Sequence, residues 1–396
     1  MELTPKQEQG LKIVIDRFKA REKYTVISGY AGSGKSTLVR FMIDALSLYG
    51  VKEETDVCFA CYTGKAAQVL IDKGNKNSMT THKLIYQAFP RPDGTFNYIP
   101  KKELEYKIII VDECSMLPKK MAEKLLSYRG IYVVFCGDPG QLPPINKDDD
   151  NHLLDHPHIF LDQIMRQAED SGIIQLSMKV REGNSIDGFK SDDAIVLPQS
   201  ALNTGMLQWA DIILCATNKT RTQINQQMRG LYGLSGTPKD GDKIINLHND
   251  WNRFSEEGNA LTNGVIGYIH NPYESWVHTP PFARIPFNEI KVYTGEFISE
   301  TGDNFGSLTI DKGLIDTGTP SLSNRQKYLL RKNEKTRILM PYEFDYAYAI
   351  TCHKAQGSSW KNILVIEEGF PFIKEEHQKW LYTAITRAEE KVVVVR

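Results

Sequence analysis

Residues 26–41 read VISGYAGSGKSTLVRF and join a strand pattern to a helix pattern through a glycine-rich loop. The β-branched run that begins at Tyr24 favours a short buried strand. Apolar residues at Leu38, Phe41, Met42 and Ala45 have helical spacing. The segment therefore predicts a strand, a loop with few side chains and a helix in direct succession.

This loop carries the Walker A pattern GxxxxGKS, from Gly29 to Ser36. A loop without bulky side chains lets backbone N–H groups converge on phosphate oxygens, and the N-terminus of the next helix adds partial positive charge. Lys35 is expected to reach the β- and γ-phosphates, and Ser36 to offer its hydroxyl to Mg²⁺. The pattern predicts an ATP site formed by the following residues: Gly32, Ser33, Gly34, Lys35, Ser36 and Thr37.

A second acidic motif, KIIIVDECSM at 107–116, has the form of a Walker B strand. Four consecutive apolar residues end in Asp112 and Glu113. Asp112 is expected to hold Mg²⁺, directly or through water, and Glu113 to polarise the attacking water as general base. The alternative is an ordinary acidic pair that caps a strand end.

The composition is that of a globular protein with two or three domains: 396 residues, 41% hydrophobic and 24% charged. With a net charge of −1, nucleic-acid binding would have to come from a local groove. No apolar run approaches the roughly 20 residues needed to cross a membrane. The first residues, MELTPKQEQG, have no signal-peptide pattern, and we expect a cytoplasmic protein that does not bind membranes.

The six cysteines are expected to be buried reduced thiols. Cys58 and Cys61 have zinc-like spacing, but no second Cys or His pair lies nearby.

Strand and helix patterns alternate from Tyr24 to Cys136, which predicts an α/β fold with a parallel sheet. The expected domains are a first α/β domain at 1–160, with a hairpin inserted at 86–107 around the turn signal RPDGTF, and a second α/β domain at 161–245 and 340–396. Residues 246–339 are expected to form a small β insertion.

The segment GDPGQ follows another strand pattern and ends in Gln141. It would place a neutral amide near the γ-phosphate, where Gln141 could report whether that phosphate is present. A turn built from Gly and Pro is the alternative, and it has no need for Gln141.

Seven motifs occur in the order found in superfamily 1 DNA helicases: GYAGSGKST, YTGKAA, TTHKLI, VDECSM, GDPGQLPP, AYAITCHKAQGSSW and LYTAITRAEE. The segments TGKAA and TCHKAQGS resemble the RecD-like branch, which includes the phage Dda helicases. The resemblance spans Gln7 to Arg387. It implies two RecA-like parallel-sheet domains, with a pin hairpin in the first and an SH3-like β insertion in the second.

The resemblance also assigns residues around the nucleotide. Gln7 matches an adenine-reading glutamine, although Thr4-Pro5-Lys6-Gln7 is equally a capping box. Arg166 and Arg387 match arginines that reach the γ-phosphate, where a cation stabilises the charge that develops on the transferred group. A surface ion pair is the alternative for either arginine.

Two groups of residues match segments that line a single-strand channel in such helicases. Hydroxyls and backbone N–H groups can grip phosphates there without reading sequence. The matched residues are Thr63, Lys65, Thr81, His82, Thr351, His353, Lys354, Gln356 and Ser358. In the hairpin, Phe89, Phe96 and Tyr98 could stack on a base or merely attach the hairpin to its domain.

The implied function is an ATP- and Mg²⁺-dependent DNA helicase that moves 5′→3′ on single strands and acts at single-strand/duplex junctions, as a monomer, with replication or recombination proteins as possible partners. A DNA-stimulated ATPase that remodels protein–DNA complexes without unwinding is the main alternative. The sequence does not decide whether the protein moves on DNA or on RNA. A polynucleotide kinase would not explain TCHKAQGS, and a non-catalytic module would not need Glu113 and both arginines. No nuclease cluster was found in the sequence, so cutting would belong to a partner.

Overall fold

The computed structural model describes residues 3–75, 77–90, 96–144, 146–165, 170–256, 258–279, 289–331 and 334–396. The chain divides into two compact units. Unit 1 comprises Met1–Ile85, Lys101–Thr217 and Thr351–Arg396, and unit 2 comprises Tyr86–Pro100 and Asn218–Ile350. Among the described residues, no helix is both long enough and apolar enough to cross a membrane.

The described strands are, in chain order, β1 (Tyr24–Gly29), β2 (Val57–Cys61), β3 (Ser78–Thr80), β4 (Tyr86–Pro90), β5 (Phe96–Pro100), β6 (Ile108–Val111), β7 (Tyr132–Gly137), β8 (Ile159–Leu161), β9 (Ala194–Leu197), β10 (Ile212–Cys215), β11 (Asp242–Asn246), β12 (Asp250–Phe254), β13 (Ala260–Leu261), β14 (Ile266–His278), β15 (Glu289–Ser299), β16 (Asn304–Asp311), β17 (Phe344–Tyr346), β18 (Ala349–Thr351), β19 (Trp360–Ile366) and β20 (Ala388–Val395).

The described α-helices are α1 (Pro5–Lys19), α2 (Lys35–Ser47), α3 (Glu53–Asp56), α4 (Gly64–Asp72), α5 (Thr81–Ile85), α6 (Lys119–Ser127), α7 (Gly172–Arg181), α8 (Thr204–Trp209), α9 (Asn218–Leu231), α10 (Lys312–Thr317), α11 (Asn324–Arg331), α12 (Glu334–Arg337), α13 (Cys352–Ala355) and α14 (Lys374–Ile385).

The first sheet of unit 1 is parallel and has the strand order β3-β2-β6-β7-β1-β8. Its central strands β2, β6 and β7 are fully buried, as near-continuous apolar runs require when both faces are covered. Residues of α1 and α2, such as Val14 and Leu38, pack in the same apolar core as Ile27 and Ile110. The parallel α/β fold predicted from the sequence is confirmed. Because β7 lies between β6 and β1, the loops that follow these three strands meet at one edge.

The second sheet of unit 1 is also parallel, and β10, β19, β20 and β9 are neighbours in that order. Helices α7 and α14 pack against each other on it. The strand β18 falls at the boundary between the units in the sequence. A second parallel sheet, expected from the resemblance, is therefore also confirmed.

Unit 2 contains an antiparallel sheet with the order β16-β15-β14-β11-β17. This sheet begins at Asp242 and ends at Tyr346, so it extends beyond the predicted insertion at 246–339 on both sides. It also carries α10, α11 and α12, which the expectation of a β insertion did not include. The strands β4 and β5 form an antiparallel hairpin that groups with this unit. The SH3-like fold and the exact domain boundaries stay predictions.

Candidate active site

The phosphate loop turns directly from β1 into α2. Gly32 and Gly34 have φ of +75° and +78°, a region that glycine adopts without strain. The Lys35 ammonium donates to the carbonyl oxygens of Gly29 (2.6 Å) and Tyr30 (2.9 Å). Ser33 is buried and donates to Tyr30 O (2.8 Å), whereas Ser36 is exposed at the first turn of α2. Lysine, hydroxyl and helix N-terminus therefore lie together at the end of β1, as the Walker A pattern requires.

Gln7 packs against this loop from α1. It forms a reciprocal capping box with Thr4: the Gln7 N–H donates to Thr4 Oγ1, and the Thr4 N–H donates to Gln7 Oε1. Its amide nitrogen also donates to Gly34 O (3.1 Å), and the side chain is 1% exposed. The capping-box interpretation is thus found in the structure, and the contact with Gly34 adds a role in supporting the loop. Adenine recognition by Gln7 stays a prediction.

Asp112 and Glu113 follow β6, two strands from the phosphate loop. Asp112 Oδ1 accepts from the Glu113 N–H (2.9 Å), and Glu113 has a positive φ of 50°, which is uncommon outside glycine. Burial raises the pKa of Glu113; Arg387 opposes this shift, Asp112 adds to it and Lys35 opposes it. A carboxyl group with a raised pKa is better suited to accept a proton from water near neutral pH.

Arg387 reaches Glu113 from the second sheet. Its Nη1 lies 3.4 Å from Glu113 Oε1, and it is anchored by its own Nε–H, which donates to Thr383 O (3.2 Å). Nη1 also donates to Ser358 O (3.4 Å). The structure therefore brings together Lys35, Glu113 and Arg387, three residues that sequence reasoning assigned to one reaction.

Arg166 lies outside the described residues. The residue before it, Met165, donates its N–H to Gly32 O (2.9 Å), so the chain that leads to Arg166 runs against the phosphate loop. Gln141 follows β7 and donates its own N–H to Asp138 O (3.2 Å). Its segment is attached to the second sheet because Leu142 N–H donates to Thr383 Oγ1 (2.9 Å) and Leu142 O accepts from Gln356 Nε2 (3.0 Å).

The residues predicted to contact DNA from the first sheet differ in how much they expose. Thr63 caps α4 by accepting from the Ala66 N–H (3.2 Å), and Lys65 Nζ lies 4.6 Å from the Trp360 ring centre. Thr81 is 0% exposed and donates its hydroxyl to Cys61 O (3.1 Å), so its hydroxyl supports the loop itself. His82 is half-buried, and burial lowers its pKa.

The corresponding residues of the second sheet surround α13. Thr351 directly precedes this helix, and burial lowers the pKa of His353 within it. Ser358 is buried, and its carbonyl oxygen accepts a hydrogen bond from Arg387 Nη1. Gly357 has φ +77°, and a Cβ there would come within 2.7 Å of Thr63 Oγ1 and 3.2 Å of Glu113 Oε2. The backbone of this motif therefore lies close to the edge of the first sheet that carries Thr63 and Glu113.

The hairpin exposes two of its three singled-out aromatic residues. Phe89 and Tyr98 are each more than a third exposed, while the side chain of Phe96 lies outside the described residues. Tyr98 pairs with Ala88, and Phe89 with Asn97. Because directly paired residues share a face and successive residues alternate, Phe89 and Tyr98 point to opposite faces.

Sequence reasoning missed residues that join the loops. Tyr382 bonds to both Ala31 and Asp138, and the Arg181 guanidinium lies 3.6 Å from the Tyr30 ring centre beside the phosphate loop. Tyr382 lies within the LYTAITRAEE motif, so its place next to Thr383 and Arg387 was the available signal. Arg181 ends an ordinary amphipathic helix and carries no such signal.

Comparison with known proteins places these features in a family. Residues 2–195 match the AAA domain family and residues 346–395 match the UvrD-like helicase C-terminal domain family. The chain is 24% identical to the ATP-dependent RecD2 DNA helicase of Deinococcus radiodurans, over 96% of this chain and 47% of that protein. It is 25% identical to the ATP-dependent DNA helicase dda of Enterobacteria phage T4, over 49% of this chain and 48% of that one.

The chain thus spans about half the length of these two relatives. Its fold matches the crystal structure of the Bacteroides Pif1 helicase in complex with ADP-AlF3 and single-stranded DNA, with a TM-score of 0.54, 17% identity and coverage of 100% of this chain and 92% of that one. The two matched domain families and the two named relatives agree that the chain is similar to superfamily 1 helicases, and the two parallel sheets are consistent with that similarity.

Proposed function

We propose that the protein is an ATP-dependent DNA helicase that translocates 5′→3′ on single-stranded DNA and couples ATP hydrolysis to strand separation. The observation that carries this proposal is the contact of Arg387, from one parallel sheet, with Glu113, which follows a strand of the other and is close enough to Lys35 for that ammonium to oppose the rise in its pKa. A cation delivered by one sheet to a base on the other makes the reaction sensitive to how the sheets approach.

The residues at the end of β1 fit a nucleoside triphosphate. The positive-φ residues Gly32 and Gly34 form a loop without side chains at the N-terminus of α2, where the helix dipole favours negative charge such as that of phosphate oxygens. Ser36 and Asp112 supply the hydroxyl and carboxylate oxygens that Mg²⁺ prefers. When bound, Mg²⁺ would neutralise developing charge on the phosphate oxygens.

The protein groups divide the work of hydrolysis. Lys35 exchanges its bonds with Gly29 O and Tyr30 O for contacts with the phosphates. Glu113 accepts the proton of the attacking water, which its raised pKa favours. Arg387 leaves Glu113 and stabilises the transferred group, with Arg166 as a second cation and Gln141 as the reporter of the γ-phosphate.

Movement on DNA would follow from alternating approach and release of the two sheets. Thr63, Lys65 and His82 would hold phosphates on the first sheet, and Thr351, His353 and Ser358 on the second, in part through backbone N–H groups. The Gly357 backbone comes so close to Thr63 and Glu113 that a Cβ would collide with Thr63, which supports a link between this proposed DNA-binding edge and the proposed base. Separating one base-pair step costs about 1.4 kcal/mol on average, a small demand on one ATP.

The proposed partners are single-stranded DNA and single-strand/duplex junctions. The Bacteroides Pif1 complex, which contains both ADP-AlF3 and single-stranded DNA, supports this choice by fold. The names of the relatives, a RecD2 DNA helicase and dda, support DNA over RNA. A monomer that works beside replication or recombination proteins is part of the same proposal.

The decisive experiment compares ATP hydrolysis with and without single-stranded DNA, and then unwinding of duplexes that carry either a 5′ or a 3′ tail. We expect stimulation by DNA and unwinding of the 5′-tailed substrate. Stimulation and single-strand movement without unwinding would favour the remodelling translocase. A rate of hydrolysis that does not change when DNA is added would contradict both the helicase and the translocase function. Equal stimulation by RNA would mean that the protein also moves on RNA.

A further inference from the structure

The hydroxyl of Tyr382 joins two loops of the first sheet to helix α14. It accepts from the Ala31 N–H in the phosphate loop (2.8 Å) and donates to Asp138 Oδ2 after β7 (2.7 Å). A backbone N–H can only donate and an ionised carboxylate can only accept, so the single phenolic proton points to Asp138. With the side chain 1% exposed, both bonds lie in a protected environment, where hydrogen bonds are electrostatically stronger than in water.

Asp138 connects the Tyr382 hydroxyl to the turn that carries Gln141. Its second oxygen, Oδ1, accepts from the Gly140 N–H (2.9 Å) and so fixes the turn. The Tyr382 ring packs on the same turn, because a Cβ at Gly140 would come within 2.9 Å of Tyr382 Cε1. The tyrosine thus holds the Asp138–Leu142 segment both through its hydroxyl and through its ring.

The next residue of α14 extends the connection to Arg387. Thr383 Oγ1 accepts from the Leu142 N–H (2.9 Å), and Thr383 O accepts from Arg387 Nε (3.2 Å). Adjacent residues of one helix therefore attach to both ends of the Asp138–Leu142 segment and to the arginine that contacts Glu113. A bonded path runs from the phosphate loop through Tyr382 to Gln141 and to Arg387.

We propose that Tyr382 is a positioning residue: its hydroxyl transmits the state of the phosphate loop to Gln141 and Arg387, so that the γ-phosphate is sensed and the cation is delivered together. This inference rests on the proposed function. Tyr382 itself acts through Asp138 and α14 and is not a catalytic residue. Burial, and after it the charge of Asp138, raises the pKa of Tyr382, so the phenol keeps the proton that it donates.

The test compares Tyr382→Phe with Tyr132→Phe. Both substitutions remove one buried phenolic oxygen from unit 1 and keep the ring. Tyr132 is a matched control because its hydroxyl also has two partners, Thr25 Oγ1 and Val14 O, and these lie away from the phosphate loop. A purely structural role for Tyr382 would give the two variants the same profile.

We expect Tyr382→Phe to lower the DNA-stimulated kcat about tenfold, because a hydrogen bond to a charged group is lost, while ADP affinity stays within about twofold of wild type. Tyr132→Phe should keep both values and lose only thermal stability. In the ligand-free protein, hydrogen exchange in peptides covering 29–34 and 138–142 should speed up in Tyr382→Phe and not in Tyr132→Phe.

The outcomes separate this inference from the proposed function. A wild-type protein without DNA-stimulated hydrolysis would contradict the proposed function, and hydrogen exchange would still decide whether Tyr382 joins the two loops. Wild-type kcat and exchange in Tyr382→Phe would overturn the inference. Equal losses of kcat in both variants would overturn it too, since they would indicate a general effect of lost stability.

Discussion

Arg387 Nη1 lies 3.4 Å from Glu113 Oε1, so a cation that precedes a strand of the second sheet contacts a carboxyl group that follows a strand of the first. The two charges stabilise each other. The arginine opposes the rise in the Glu113 pKa that burial causes, and the carboxylate is an ion-pair partner for the arginine. In the proposed mechanism Arg387 leaves Glu113 for a phosphate, and loss of this neighbouring cation would raise the pKa of Glu113 further.

Glu113→Gln should raise thermal stability at pH 7.5, and the gain should shrink as the pH falls towards 4.5. The folded state binds the Glu113 proton more tightly than the unfolded state does, so wild-type stability is lost as the pH rises through the raised pKa. Melting curves of both proteins from pH 4.5 to 7.5 measure this. The exposed Glu103→Gln is the control and should show no such pH-dependent gain. A constant difference between Glu113→Gln and wild type would contradict the prediction.

Lys35→Ala should reduce ATP hydrolysis by at least about 100-fold, because a cation aimed at developing phosphate charge is removed. Single-stranded DNA affinity, measured by fluorescence anisotropy, should stay near wild type. Lys120→Ala, an exposed lysine on α6, serves as control and should keep full hydrolysis. Near-normal turnover by Lys35→Ala would refute the assignment of the phosphate loop.

Tyr98→Ala should reduce unwinding of forked DNA about tenfold while leaving DNA-stimulated hydrolysis within about twofold, since an aromatic–base stack contributes roughly 1–3 kcal/mol. Phe89→Ala is the matched variant, because it removes an exposed ring from the opposite face of the same hairpin. An equal loss of unwinding and of hydrolysis in Tyr98→Ala would mean that the ring has a structural role.

Arg229→Ala should cost about 3–5 kcal/mol of unfolding free energy in unit 2, because it leaves a buried carboxylate without its charged partner. Arg229 Nε and Nη2 donate to Asp242 at 2.9 and 3.0 Å, and Asp242 is 0% exposed. Urea titration followed by hydrogen exchange in peptides from 218–246 measures the loss. Arg40→Ala, which breaks an exposed pair with Glu53, should cost less than about 1 kcal/mol. Equal costs would show that burial of the Asp242 pair does not matter.

The local features of unit 1 were accessible from the sequence because they depend on neighbours in the chain. The β1 strand, the glycine turn and the start of α2 at Lys35 follow from β-branched residues, positive-φ glycines and apolar spacing. Lys35 and Glu113 could be singled out for the same reason, since each lies in the segment that follows a recognisable strand; their roles stay predictions.

Contacts between distant segments could not be predicted in this way. Tyr382 is 351 residues from Ala31 and 244 from Asp138, and no local pattern encodes a hydroxyl between two loops. The pairing of β11 with β17 in the unit 2 sheet was not apparent from the sequence, because these strands are short and lie about a hundred residues apart. The hydrogen bond of the buried Thr81 hydroxyl likewise depends on a distant partner, Cys61 O at the end of β2.

All six cysteines are buried thiols, and burial raises the pKa of Cys58 and Cys352 to about 12. Few of these sulfurs are thiolates near neutral pH, and thiolate is the species that reacts with maleimides. A single cysteine introduced on an exposed surface should therefore take up a fluorescent dye selectively, with the native thiols left in place. The proposed movement along a DNA strand could then be followed by energy transfer to that dye, without first replacing the buried cysteines.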